Sequence, residues 1–285
     1  MNKIKKKFID NCKKLQSPFL HPIVLEEFEK SIEKKLLSPK YFQGMKFPSI
    51  SLVIPCYNEA NRVKLLFQGV EDFKNDWQGE FEVIIVDDGS TDNTAKIVQD
   101  HTCFTELLAQ GKTQLIQQEN QGKGAALRTG IMVAKYAFTL TLDADMAAAP
   151  SELIEWLKIG PFEASQIWIG SRELNAHHVK DHWHRKFIGN VFNLLIRLIA
   201  GLKIRDTQCG FKLYPTVIGQ QLFRELLTNG WAHDVEILKR AKKKGIPVIE
   251  MPLHWNAVDG SKINLVQDSI RMFFEVCRIA QMRMS

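Results

Sequence analysis

Two carboxylates two residues apart, Asp143 and Asp145, close a short apolar run, Phe138 to Leu142, in the stretch LTLDADMAAAP. At the end of a buried strand, paired oxygens of this kind can hold a hard divalent cation, which in turn can hold phosphates. The same residues could instead cap the following turn, because aspartate is common where a strand gives way to a loop. Glu59 in CYNEANRV and Asp88 in VDDGSTDNT also follow apolar runs. If these strand ends share one edge the acids converge, and their mutual repulsion calls for a cation or a donor-rich ligand. Lys123 lies between Gly122 and Gly124, where the opening turn of a helix could offer free N–H groups and an ammonium to a phosphate. A glycine-permitted turn without a ligand is the alternative. Arg172 closes the run GSR, and a strand-end arginine suits bidentate phosphate binding. Asp234 in WAHDVE is either a general base for an attacking hydroxyl or the N-cap of the helix that starts there.

The elements that must position these residues follow from apolar patterning. Branched apolar runs predict strands at Ile50 to Pro55, Phe81 to Val86, Gln114 to Gln118 and Phe138 to Leu142, the third with the fewest apolar residues. Helical segments alternate with them, one from about Asp92 and one running through Ala137, which gives βαβ units and a parallel sheet with right-handed crossovers. Ligands bind beyond the carboxyl ends of such strands, where the acids fall. A Walker loop is absent, and Gly122 and Gly124 lack a third glycine at the dinucleotide spacing, so a Rossmann dehydrogenase is disfavoured.

A chain of 285 residues, 45% hydrophobic and 25% charged, can bury the core of one large α/β domain with appendages. The net charge of +6 is confined to the start: Met1 to Ile50 hold eleven lysines, no arginine and five acids. Such an arm either touches an anionic surface or is a solvated helical appendage. Five scattered cysteines without a C-x-x-C pair argue against a disulfide framework or structural zinc and fit a reducing compartment. The basic start MNKIKKKF runs into FIDNCKKLQ rather than an apolar core, so no secretory leader is expected. No run reaches the roughly 18 to 20 apolar residues of a spanning helix.

Taken in order, VIPCYNEA, VDDGSTDNT, NQGKGAALRTG, the D-x-D triplet, GSRE, RDTQCGFKLY, WAHDVEIL and HWNAVDGSKIN resemble family 2 glycosyltransferases of the GT-A fold. Within that family they are most similar to the dolichyl-phosphate β-glucosyltransferases, dolichyl-phosphate mannose synthases and related polyprenyl-phosphate sugar transferases, over about residues 48 to 275. The resemblance implies an α/β fold with a Rossmann-like, mostly parallel central sheet flanked by helices and carrying amphipathic helical appendages. Its domains would be a basic helical arm over 1–47, a glycosyltransferase domain over 48–262 and a C-terminal amphipathic helix over 263–285. It implies inverting transfer of a hexose, glucose from UDP-glucose in preference to mannose from GDP-mannose, onto a polyprenyl phosphate. Mg²⁺ or Mn²⁺ would be the cofactor, with peripheral contact at the cytosolic face of a membrane and no nucleic acid.

Carried over residue by residue, Pro55, Tyr57 and Glu59 would line the base and ribose, Val86 and Asp88 would contact the base, and Lys123 would lie near the nucleotide. Asp143, Ala144 and Asp145 would form the D-x-D element, with Asp145 the direct metal ligand. Arg172 and Arg185 would approach the acceptor phosphate, and Lys262 would sit on a loop closing over the nucleotide. Ala147 stands where mannose synthases have Gln, and Gly189 where the family can carry a Ser acceptor contact. The four histidines of HHVKDHWHRK lack a supporting Cys or Glu and read as an acceptor loop rather than a zinc site. Phe187 to Leu202 and Asn264 to Arg283 are amphipathic: each is a core helix or an interfacial one that presents a lipid acceptor. Two other functions compete with the polyprenyl-phosphate reading. One is the same fold acting on a soluble sugar or protein, with Asp234 as base; the other is a non-catalytic membrane adaptor, which intact acids at all four positions disfavour.

Overall fold

The computed structural model describes residues 47–175, 199–256 and 265–281. Most of the arm over 1–47, the histidine-rich segment with Arg185, the Gly189 position and the loop carrying Lys262 lie outside the described residues.

The runs ISLVIPC and FEVIIVDD form β1 (Ile50–Cys56) and β2 (Phe81–Asp88), almost wholly buried, as strands covered on both faces must be. They pair in parallel with Pro55 opposite Val86 and Cys56 opposite Asp87, so their carboxyl ends lie side by side. β3 (Thr113–Gln118) pairs parallel to β2 at the sheet edge, where partial exposure explains its polar sequence. β4 (Phe138–Thr141) runs parallel to β1 on its other side and delivers the D-x-D triplet. β5 (Ile167–Ser171), β6 (Lys212–Pro215) and β7 (Val248–Pro252) complete a seven-stranded sheet ordered β3-β2-β1-β4-β6-β5-β7. Only β6 opposes its neighbours β4 and β5.

Helix α1 (Val63–Asp76) buries Val63, Leu66, Phe67, Val70 and Phe73, one stripe at helical spacing. Two short helices, α2 (Thr94–Asp100) and α3 (Thr102–Ala109), cross to β3. The third crossover helix, α4 (Lys123–Val133), lies close on the sheet because its buried face is small. A Cβ on Gly130 would come within 2.5 Å of Val53 Cγ1 and 3.1 Å of Val86 Cγ2.

Instead of running on through Ala137, α4 stops at Val133. Side chains of the first strands and the segment before them take the next amides: Lys135 N–H donates to Glu82 Oε1 at 2.9 Å, Tyr136 N–H to Ser51 Oγ at 3.2 Å and Ala137 N–H to Ser49 Oγ at 3.2 Å. Amides bound to other elements leave no helical ladder to continue. The remaining α-helices among the described residues are α5 (Glu152–Ile159), α6 (Thr216–Arg224), α7 (His233–Lys243) and α8 (Leu265–Gln281).

α8 is amphipathic, and from Met272 onward it turns an apolar stripe inward. Met272, Val276 and Ile279 are buried in the main core, and Lys239 Nζ donates to the carbonyls of Ile279 and Ala280 at 2.6 and 2.7 Å. That stripe is therefore a core face, whereas Phe274 is exposed. Among the described residues no helix is long and apolar enough to cross a membrane.

Candidate active site

At the ends of β1 and β2 two loops lock together. Asn58, at φ 55°, accepts from Thr91 N–H at 2.7 Å and Asp92 N–H at 3.2 Å, and its own N–H donates to Ser90 Oγ at 2.8 Å. Ser90 in turn donates to Asp87. Tyr57 stands exposed beside this clasp. Glu59 pairs with Arg62 at 3.1 Å, and Asp88 accepts from Gln118 Nε2 at 2.7 Å, Gln121 N–H at 3.0 Å and Gly122 N–H at 2.8 Å.

The strand-end acids thus carry protein donors of their own, and their convergence does not by itself demand a cation. Asp88 holds the turn that opens α4. Val86 is 0% exposed with its side chain against Gly130, so a base could meet it only through the backbone.

The start of α4 is likewise not an open anion site. Asn229 C=O accepts from Gly124 N–H at 2.7 Å and Ala125 N–H at 3.2 Å, Asp88 takes Gly122 N–H, and Gly122 C=O takes Ala126 N–H. Gly122, at φ +102°, makes this closure possible: a Cβ there would meet Asn229 O at 2.7 Å. The Asn229 carbonyl is held from behind, because Glu236 of α7 accepts from Leu227 N–H at 3.0 Å and Thr228 N–H at 2.8 Å and is itself paired with Arg240 at 2.7 Å. What α4 offers the crevice is the Lys123 side chain. Its ammonium donates to Asp143 and lies 5.0 Å from the centre of the exposed Trp231 ring.

The D-x-D triplet sits beyond β4. Asp145 Oδ1 accepts from Ala147 N–H at 3.0 Å, with Met146 between them at φ 54°. The Asp143 side chain remains 41% exposed. Burial alone would raise its pKa, but Lys123, Lys212 and Arg172 outweigh that and hold it below the ordinary carboxylate value. Gly210 backs it: a Cβ there would fall 2.5 Å from Asp143 Oδ2.

Asp234 lies inside the first turn of α7, and the N-cap is Ala232, so Asp234 is not the cap. Its Oδ1 accepts from Lys212 Nζ at 2.5 Å, and His233 Nε2 is 3.3 Å from the same oxygen. Burial would raise the Asp234 pKa, yet His233, Lys212 and Lys123 together hold it below the ordinary value. A carboxylate stabilised in its ionised form is a poor proton acceptor.

Arg172 follows β5, and its fork is taken: Nε donates to Asp206 Oδ2 at 2.7 Å and Nη2 to Asp206 Oδ1 at 2.9 Å. The bidentate face expected to grip a phosphate therefore grips Asp206. A phosphate would meet the outer N–H groups of a side chain that is 37% exposed and lies 5.7 Å from the Trp255 ring. Beyond Trp255, Asn256 N–H donates to Ala147 C=O at 2.8 Å, which ties the segment after β7 to the D-x-D turn.

Residues 51–223 match the model of glycosyl transferase family 2. The chain belongs to that family. Over 249 residues it is 32% identical to the dolichyl-phosphate beta-glucosyltransferase of Dictyostelium discoideum, a match covering 81% of this chain and 73% of that protein. With the dolichyl-phosphate beta-glucosyltransferase of Saccharomyces cerevisiae it shares 34% identity over 273 residues, 88% of this chain and 79% of the other. The crystal structure of glucosyl-3-phosphoglycerate synthase from Mycobacterium tuberculosis with Mn²⁺, UDP and glucosyl-3-phosphoglycerate superposes with a TM-score of 0.55 at 17% identity, over 81% of this chain and 80% of that one. The fold is thereby GT-A, and the protein is a glycosyltransferase.

In this glycosyltransferase the donor set fits a divalent cation held jointly with a ligand. Among the described residues no three His, Cys, Asp or Glu side chains gather into a metal cluster. The D-x-D turn instead offers one or two hard carboxylate oxygens, the pattern by which Mg²⁺ is bound through few carboxylates plus substrate phosphates. The sequence reading missed Lys212, Asp206, His233 and Gly210. Lys212 carried a signal, a lysine between Phe211 and Leu213 in an apolar strand, whereas the other three carried none that a local pattern could reveal.

Buried and half-buried ionised groups make stability pH-dependent with a fixed sign. Burial would raise Asp206, but Arg172 holds it below the ordinary carboxylate value, as its cationic neighbours hold Asp143 and Asp234. Each stabilises the fold above its unfolded pKa and ceases to as pH falls through its folded value. His233 is lowered chiefly by burial, and its contribution is lost in the same direction, beginning near its ordinary value of about 6.5. Thermal melts between pH 8 and pH 4 should show a level Tm down to about pH 6.5 and a decline below it. His233→Gln should remove the first part of that decline.

Proposed function

We propose that this glycosyltransferase moves glucose from UDP-glucose onto dolichyl phosphate with inversion, using Mg²⁺ or Mn²⁺, at the cytosolic face of a membrane. The observation that carries this reading is the state of Asp234. A carboxylate bound to a buried lysine at 2.5 Å and held ionised is ill suited to deprotonate a hydroxyl. An acceptor phosphate arrives already ionised and needs no base. The two dolichyl-phosphate beta-glucosyltransferases, similar over most of this chain, support the same acceptor class.

In this reading the uracil and ribose lie over the clasp that joins Asn58 to Ser90, with Tyr57 beside it and Pro55 and Val86 met through backbone. The cation would be held by Asp145 with Asp143, and when bound it would offset the negative charge that develops on the departing diphosphate. A phosphate oxygen of the acceptor forms the bond to the anomeric carbon as that carbon's bond to the UDP oxygen breaks, which gives a β-linked lipid-phosphate glucose. Lys123 and the outer N–H groups of Arg172 provide positive charge across this path, Lys262 is assigned to the closing loop and Arg185 to the acceptor phosphate. Asp234 then serves orientation, through contact with sugar hydroxyls or the acceptor.

The test is transfer of labelled sugar into an organic-extractable product. Purified protein, Mn²⁺ and dolichyl phosphate are incubated with UDP-glucose or GDP-mannose in parallel. Label entering the lipid from UDP-glucose alone, and lost when Mn²⁺ is chelated, is the expected result. Transfer to a water-soluble acceptor with none to the lipid would overturn the acceptor assignment, and preference for GDP-mannose would overturn the donor.

A further inference from the structure

Lys212 opens β6 between the core residues Phe211 and Leu213 and is 1% exposed, so no substrate can reach its ammonium. A charge buried in mid-sheet is unfavourable unless fully paired, and an apolar residue of similar volume often serves stability equally well. This ammonium is paired twice: it donates to Cys209 C=O and, at 2.5 Å, to Asp234 Oδ1. Cys209 and Gly210 form the turn immediately before β6. Gly210 C=O accepts from Thr141 Oγ1 of β4 at 2.9 Å, and the Asp143 carboxylate lies against the Gly210 backbone, within 2.5 to 2.8 Å of where a Cβ would stand. One ammonium thus ties α7 to the turn that supports the first D-x-D carboxylate.

We infer that Lys212 is a positioning residue for the metal–diphosphate subsite, holding the Cys209–Gly210 turn and Asp234 in register so that the Asp143 carboxylate is presented to the cation. The inference rests on the proposed donor and cofactor. It goes beyond them in assigning a buried residue that touches neither ligand, and it separates two parts of nucleotide binding. The clasp at β1 and β2 meets the base without Lys212, whereas the metal-linked diphosphate half depends on it.

Calorimetric titration of UDP, with and without Mn²⁺, into wild type, Lys212→Met and the double variant Lys212→Met/Asp234→Asn tests this, with thermal melts alongside. The double variant removes both buried charges and keeps both shapes, so it folds even if Lys212→Met alone does not. Loss of a partner that orients a metal ligand typically weakens binding by about 10- to 100-fold. The expected result is that the gain in UDP affinity brought by Mn²⁺ falls by about tenfold or more in the folded variants, while metal-free UDP binding stays at the wild-type level. A general structural defect would weaken both. Wild-type Mn²⁺ enhancement in either folded variant would overturn the inference. Wild-type protein that binds UDP no better with Mn²⁺ than without would remove the donor and cofactor reading, and this inference with it.

Discussion

If the proposed metal-assisted reaction holds, Asp145→Ala is expected to slow sugar transfer by about a thousandfold while the protein stays folded, since a cation so placed would contribute several kcal/mol to departure of a diphosphate and each 1.4 kcal/mol is tenfold in rate. The two D-x-D carboxylates are not equivalent. Asp143 is paired with Lys123 and rests on Gly210, so part of its charge is already matched. Asp145 accepts an intra-turn bond from Ala147 N–H at 3.0 Å, which orients it without neutralising it. Removing it forfeits one half-exposed hydrogen bond, worth about 1 kcal/mol or less, so the melt should shift little. Asp143→Asn should differ by lowering both rate and Tm, because it leaves the Lys123 ammonium without its anion. Initial rates with dolichyl phosphate and Mn²⁺, read beside thermal melts, separate the two variants. An Asp145→Ala protein that keeps more than about a tenth of the rate would exclude Asp145 as the carboxylate on which metal-assisted departure depends.

The parts of this site that were legible in the sequence are those written in local patterns. β1, β2 and β4 are buried on both faces and therefore read as largely apolar runs, interrupted by the buried polar residues Ser51, Glu82, Thr139 and Thr141, and the acids at or just beyond their ends mark the carboxyl edge of the sheet. Partnerships between distant segments were not legible. Nothing near Gly122-Lys123-Gly124 reveals that the Asn229 carbonyl closes the helix start from more than a hundred residues away, or that Lys123 turns to Asp143. The fork of Arg172 reads as a phosphate clamp until Asp206 is seen to occupy it. α8 shows the remaining ambiguity: an amphipathic period is identical for a helix on a core and a helix on a membrane, and only the burial of Met272, Val276 and Ile279 distinguishes them.

Gly210→Ala should leave the fold nearly unchanged and reduce transfer by about a hundredfold, the penalty typical of displacing a reacting arrangement by about 1 Å. Gly210 is not among the glycines at positive φ, so its backbone accepts a side chain and the glycine is needed for space alone. The space is occupied by the Asp143 carboxylate: an added methyl would stand 2.5 Å from Oδ2, 2.7 Å from Oδ1 and 2.8 Å from Cγ. Contacts below about 3 Å force one partner to move. The Cys209–Gly210 turn is fixed by Lys212 and by Thr141, so the side chain that yields is Asp143. That carboxylate cannot swing away without loosening its bond to Lys123, and both groups belong to the proposed diphosphate subsite. Gly160→Ala is the matched control, since an added Cβ there meets nothing within 4 Å and its backbone is extended. Its rate and Tm should match wild type. Measured together, a large rate loss in Gly210→Ala with a small change in Tm shows that the turn serves Asp143. Equal rates in the two variants would mean that the placement of Asp143 does not limit transfer, and the D-x-D function would then rest on Asp145 alone.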